Sequence, residues 1–106
     1  MIKQGLGCSP GKAKGVAYIL SLNDDLDKIP HNSILVVKKS SPQWIIPLIG
    51  SKGIICEVGG RMSHLAILCR EVGKPCVTEI DNICSAIHNG DIVSIDGYTG
   101  EVTIYE

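Results

Sequence analysis

The chain reads as an α/β unit, and three features predict that class. Short runs rich in β-branched residues, such as Ile34-Leu35-Val36-Val37 and Ile92-Val93-Ser94-Ile95, are bounded by turn-forming residues and read as strands. Between them Leu65, Leu68, Cys69 and Val72 recur at helical spacing. Ser63 just ahead of that stretch is a favoured N-cap, and Gly73 followed by Pro75 stops it.

In chain order the first strand is expected over residues 15–20. Asp24-Asp25-Leu26-Asp27-Lys28 follows as a polar connection, a solvated turn or helix end rather than a cluster of working carboxylates. A strand over 34–37 leads to a short helix over 42–49, opened by Pro42 at its first position with Ser41 as cap. Trp44, the single tryptophan, lies in that helix among isoleucines and leucine and is read as core. A strand over 53–56 runs into the Gly59-Gly60 turn and the helix that Ser63 caps. A short strand over 76–78, a helical turn over 83–88, and strands over 92–95 and 102–105 complete the chain, the last two joined across 96–100.

At 106 residues with 44% hydrophobic content, the chain fits one domain, residues 1–106, with a modest core. A net charge of -1 without a basic run argues against nucleic acid. No apolar run approaches the ~20 residues that span a bilayer, and no signal core opens the chain, so a cytoplasmic protein without a membrane role is expected. Five cysteines, odd in number and without a C-x-x-C pair, point to neither a disulfide framework nor zinc, and no metal site is expected. They read as small buried apolar residues. His31 and His88 each sit beside an asparagine in a turn and read as surface residues.

His64 is different, because with Ser63 as cap it becomes the first helical residue. Unpaired N–H groups and the positive end of the helix dipole point outward there and stabilise anions. That field favours the neutral imidazole over imidazolium and offsets the charge of a phosphoryl group bound to it. Gly59 and Gly60 allow a sharp turn and close approach of a bulky donor. Of the two arginines, Arg61 flanks the helix mouth, whereas Arg70 lies roughly 9 Å further along the axis at 1.5 Å per residue, so Arg61 is the better phosphate ligand. On the residues alone, a Gly-Gly turn, a serine cap and an exposed histidine serve a purely structural helix start equally well.

The segment Gly59-Gly60-Arg61-Met62-Ser63-His64-Leu65-Ala66-Ile67, with Arg70-Glu71-Val72-Gly73-Lys74-Pro75-Cys76-Val77, resembles the phosphohistidine signature of the mobile domain in phosphoenolpyruvate (PEP)-utilising enzymes. That family includes phosphoenolpyruvate synthase, pyruvate phosphate dikinase, rifampicin phosphotransferase and enzyme I of the sugar phosphotransferase system. Cys8-Ser9-Pro10-Gly11-Lys12-Ala13-Lys14-Gly15-Val16-Ala17 is similar to its opening segment. Asn89-Gly90-Asp91-Ile92-Val93-Ser94-Ile95-Asp96-Gly97 and Gly100-Glu101-Val102 are similar to its closing strands. The resemblance implies the swivelling β/β/α fold, a small sheet assembly with the active-site helix on one side. It also implies His64 as phosphoryl acceptor through Nε2, supported by Ser63, Gly59, Gly60, Arg61 and Ser41.

Three departures stand out. Met62 replaces a common threonine and removes a hydrogen-bond donor, Thr78-Glu79 stands where a glycine commonly follows, and Ser41-Pro42 falls where relatives often carry Thr-Pro or Asp-Pro. The helical insertion through which enzyme I docks its partner has no counterpart in this length of chain.

With no G-x-x-x-x-G-K-[ST] loop present, the phosphoryl donor must be bound elsewhere. The resemblance therefore implies a phosphocarrier that binds no cofactor itself. Its partners would be an ATP- or phosphoenolpyruvate-binding domain and a domain binding pyruvate or another acceptor, in cis or in trans, with Mg2+ in those partner sites. One alternative is the histidine domain of a rifampicin-type phosphotransferase. Another is a binding or regulatory module that keeps the fold without turnover.

Overall fold

The computed structural model describes residues 1–21, 28–60 and 62–105. Asp24 to Asp27 of the polar connection, together with Arg61, lie outside the described residues. Among the described residues eight strands and three α-helices follow in the order β1 (Ile2–Gln4), β2 (Leu6–Ser9), β3 (Lys12–Ile19), β4 (Ile34–Lys39), α1 (Ile45–Ile49), β5 (Gly53–Val58), α2 (His64–Val72), β6 (Cys76–Thr78), α3 (Ile83–Ala86), β7 (Ile92–Asp96) and β8 (Glu101–Tyr105). The α/β class and the swivelling β/β/α arrangement both hold.

Alternation of side chains along the central strands explains the layers. On β4, Leu35 and Val37 face one way and Ile34 and Val36 the other; on β5, Ile54 and Cys56 are opposed to Ile55. The first set packs under Trp44, Leu48, Leu65, Ala66 and Cys69, which are supplied by α1, α2 and the 3-10 turn before α1. The second set packs against Val93, Ile95, Val102 and Ile104 of β7 and β8, and against Ile83 of α3. Both faces of the parallel β4-β5-β6 sheet are thus apolar, so its strands read as continuous hydrophobic runs rather than alternating ones. Each such buried side chain contributes about 1.5–3 kcal/mol.

Strand β3 joins the two sheets. Its first half, Lys12 to Val16, pairs antiparallel with β7, and its second half, Ala17 to Ile19, pairs parallel with β4. The strand order is β1-β8-β7-β3-β4-β5-β6-β2. Only Gly5 separates β1 from β2, so the two ends of that order meet. They meet on glycine: the Gly5 N–H donates to the Gly100 carbonyl at 2.8 Å, and the Gly97 N–H to the Gly11 carbonyl at 2.7 Å. A Cβ on Gly97 would collide with the Ser9 carbonyl, and one on Gly100 with the Gly5 carbonyl.

The first two strands are a correction to the sequence reading, which placed none before residue 15. They are three and four residues long, separated by glycine, and exist because β8 and β6 pair with them. The expected helix over 42–49 divides into a 3-10 turn, Pro42–Trp44, and α1. The helical turn expected over 83–88 ends at Ala86, where Ile87 turns extended. Trp44 is 4% exposed and its Nε1–H donates to the Lys39 carbonyl, which makes it core as expected. Cys8, Cys56, Cys69 and Cys76 are buried, Cys84 is half-buried, and all five are free thiols. His31 and His88 are exposed.

Candidate functional site

Three neighbouring parallel strands deliver their carboxyl ends to one place, the usual location of a site in an α/β sheet. Ser40 follows β4, Gly59 and Gly60 follow β5, and Glu79 follows β6. Helix α2 starts from the same end. Its three buried residues, Leu65, Ala66 and Cys69, anchor it to the core, and His64 remains exposed at its first position.

The first turn is held by two hydroxyls from different elements. Ser63 has extended backbone angles, and its Oγ accepts from the Ala66 N–H at 3.2 Å while donating to the Gly60 carbonyl at 3.0 Å. Ser40 Oγ accepts from the Leu65 N–H at 3.2 Å. The His64 N–H, the remaining early donor of the turn, has no partner among the described residues. At the far end Gly73 adopts φ 73° and its N–H returns to the Cys69 carbonyl, ending the helix as expected.

Gly60 has φ 75°, a left-handed conformation in which a side chain is strained, and this bend turns the chain from β5 into α2. The Gly59 N–H donates to Glu79 Oε1 at 2.7 Å. Beneath the turn, Cys56 Sγ donates to the Val58 carbonyl at 3.1 Å, and burial pushes that thiol up to about 12. It stays protonated near neutral pH and is therefore not a thiolate nucleophile. Met62 beside the turn is 82% exposed, so the departure from threonine puts an apolar side chain on the surface.

Of the candidate residues, Gly59, Gly60, Ser63 and His64 lie in one continuous turn and helix start. Ser41 occupies the cap position of the 3-10 turn, but its side chain makes no cap bond. The hydroxyl that reaches α2 belongs to its neighbour Ser40. Sequence reading missed Ser40 because it ended β4 at residue 37, two residues short of its observed end at Lys39. Arg70 is engaged elsewhere, its Nη1 donating to the Cys8 carbonyl at 2.7 Å. Among the described residues no group of three His, Cys, Asp or Glu side chains is arranged to hold a metal ion. No helix among them is long and apolar enough to cross a membrane.

The family model for the PEP-utilising enzyme mobile domain matches residues 29–100. The chain is 38% identical over 102 residues to a probable phosphoenolpyruvate synthase of Methanothermobacter thermautotrophicus, covering 96% of this chain and 15% of that protein. It is 33% identical over 101 residues to the rifampicin phosphotransferase of Bacillus subtilis, covering 95% of this chain and 12% of that protein. It therefore spans well under a fifth of the length of either relative. Among solved structures, aconitase X of Thermococcus kodakaraensis matches all of this chain and 99% of its own with a TM-score of 0.78 at 19% identity, a likeness of fold alone. With the matched segment running from before β4 to the turn between β7 and β8, and so holding the central sheet, α2 and His64, the chain belongs to the PEP-utilising enzyme mobile domain family.

Proposed function

We propose that this chain is a phosphocarrier in which His64 accepts a phosphoryl group from a donor bound to a separate ATP- or phosphoenolpyruvate-binding domain. His64 then delivers it to pyruvate or another acceptor on a further domain. The observation that carries this reading is the exposed imidazole at the first position of a doubly capped helix, inside the segment that matches the family.

The chemistry asks little of the carrier beyond position and charge compensation. A lone pair of the neutral imidazole attacks phosphorus in line, an N–P bond forms, and the P–O bond to the donor breaks with its electron pair leaving on the donor oxygen. The imidazole proton is held on the other ring nitrogen. On delivery an acceptor oxygen attacks phosphorus, the N–P bond breaks, and imidazole is restored. The amide end of α2 stabilises the added negative charge. Ser63 and Ser40 fix the turn, and Mg2+ belongs to the partner sites that hold the donor and acceptor.

Pyruvate is the leading acceptor because the synthase relative is the more similar of the two described. The rifampicin phosphotransferase relative supports a hydroxyl acceptor as the second reading. Phosphorus NMR after treatment with phosphoramidate tests the carrier step. An acid-labile phosphohistidine signal is expected in the unaltered chain and absent from His64→Ala. An equal signal in both would move the site to His31 or His88, and no signal in either would favour a binding module without turnover.

A further inference from the structure

Glu79 has backbone φ 53°, in the left-handed region where a side chain is disfavoured and glycine is the inexpensive choice. It stands immediately after β6, and the strain does not serve packing, since the residue is exposed. What the conformation achieves is a contact: Oε1 accepts the Gly59 N–H at 2.7 Å. A short hydrogen bond from an amide to a carboxylate is of the charge-assisted kind.

That bond is the first of a series. Gly60, bent at φ 75°, presents its carbonyl to both the N–H and the Oγ of Ser63, at 3.3 and 3.0 Å. Ser63 Oγ in turn caps Ala66. Next to Glu79, the Ile80 N–H donates to the Glu57 carbonyl at 3.1 Å, and Glu57 Oε1 accepts from the Cys84 N–H at 3.1 Å. Three bonds therefore tie residues 57–59 to residues 79–84, past the last β5-β6 ladder pair, Ile55 with Val77. The side chain of Glu79 extends a sheet ladder by one rung into the turn that precedes His64.

We propose that Glu79 is a positioning residue for phosphoryl acceptance: its carboxylate clamps the Gly59 amide and so fixes the Gly59-Gly60 turn from which Ser63 and His64 project. The role rests on the carrier reading of His64. It acts through hydrogen-bond acceptance, so an amide oxygen at the same place can perform it and a glycine cannot.

The experiment compares the unaltered chain, Glu79→Gln and Glu79→Gly by two readouts. One is the initial rate of phosphohistidine formation from phosphoramidate, followed by phosphorus NMR. The other is hydrogen exchange at the Gly59 amide, with the buried Val93 amide on the opposite layer as control. The glutamine variant is expected to keep its rate within about twofold and its Gly59 protection. The glycine variant should lose Gly59 protection and slow on the order of tenfold or more, the scale of a misplaced reacting group, with Val93 unchanged. It should also melt no earlier than the unaltered chain, because relief of the left-handed strain offsets the lost bond, which separates positioning from folding. A glycine variant that accepts phosphate at the normal rate overturns the clamp and leaves the carrier reading standing. A glutamine variant as slow as the glycine variant overturns acceptance as the mode of action. Failure of the unaltered chain to accept phosphate overturns the carrier reading itself, and the positioning role with it.

Discussion

Single hydroxyls and thiols show how much each polar group in this small core matters. Ser40→Ala leaves the Leu65 amide without its acceptor at a buried residue, and a loss of about 1 kcal/mol is expected. On the proposed carrier role of His64 the same variant should accept phosphate more slowly from phosphoramidate; a calorimetric melt at the unaltered temperature would show that the bond carries nothing. Ser9 presents the opposite case. Its Oγ is buried with no partner among the described residues, so Ser9→Ala removes an unpaid desolvation and should melt at the same temperature or higher. The thiols set the alkaline limit. Burial raises Cys56 from 9.0 to about 12 and Cys84 from 9.0 to about 11. Above pH 9 the unfolded chain gives up these protons while the folded one keeps them, so stability is intact below about 9 and falls as pH rises towards 12. Urea midpoints at about pH 8 and 10 should differ in that direction, and by less in Cys56→Ala.

At the scale of elements, helix α2 is the best specified piece of the molecule. Its cap and left-handed glycine stop are both as read from the sequence, and of the expected stripe Leu65 and Cys69 are buried, Leu68 is half-buried and Val72, on the last turn, is exposed; Gly73→Ala tests the stop alone. With φ 73° and no atom within 4 Å of an added Cβ, the change costs backbone strain without a clash, about 1 kcal/mol, with helix content unchanged by circular dichroism. This agreement across local signals is why residues 64–72 are legible in the sequence alone, and why His64 stands out there. The buried β4 and β5 were legible too, as unbroken runs of Ile, Leu and Val. Strands β1 and β2 were not, because their cause is remote: Ile2 pairs with Thr103 and Gly7 with Val77. The same holds for the site. Ser63 and Gly60 belong to the local motif, whereas Ser40 and Glu79 arrive from the ends of other strands, and only the parallel register says which residue of each strand comes last.

The whole molecule depends on the glycine seam that joins the opening segment to the β7-β8 turn. Two of the three segments that carry the family resemblance, Ser9-Pro10-Gly11 and Asp96-Gly97, meet there, which makes their pattern architectural rather than catalytic. Gly97→Ala pushes a Cβ against the Ser9 carbonyl, backbone that cannot yield, and a loss of roughly 2–3 kcal/mol is expected. Gly90→Ala, at φ 96° but with nothing within 4 Å of an added Cβ, should lose only about 1 kcal/mol. Equal melting shifts for the two variants would contradict close packing at the seam.

Strand β1 pairs with β8, so the earliest of these eight strands to be synthesised waits for the latest of them. At about 5–20 residues per second that interval is on the order of 5–20 s on a ribosome. Until then Ile34, Val36, Ile55 and Val77 have no β7-β8 hairpin to cover them. A nascent chain stalled before residue 90 is therefore the species a chaperone should hold, with its histidine helix already able to pack and its opposite face covered by α3 alone, without the β7-β8 hairpin.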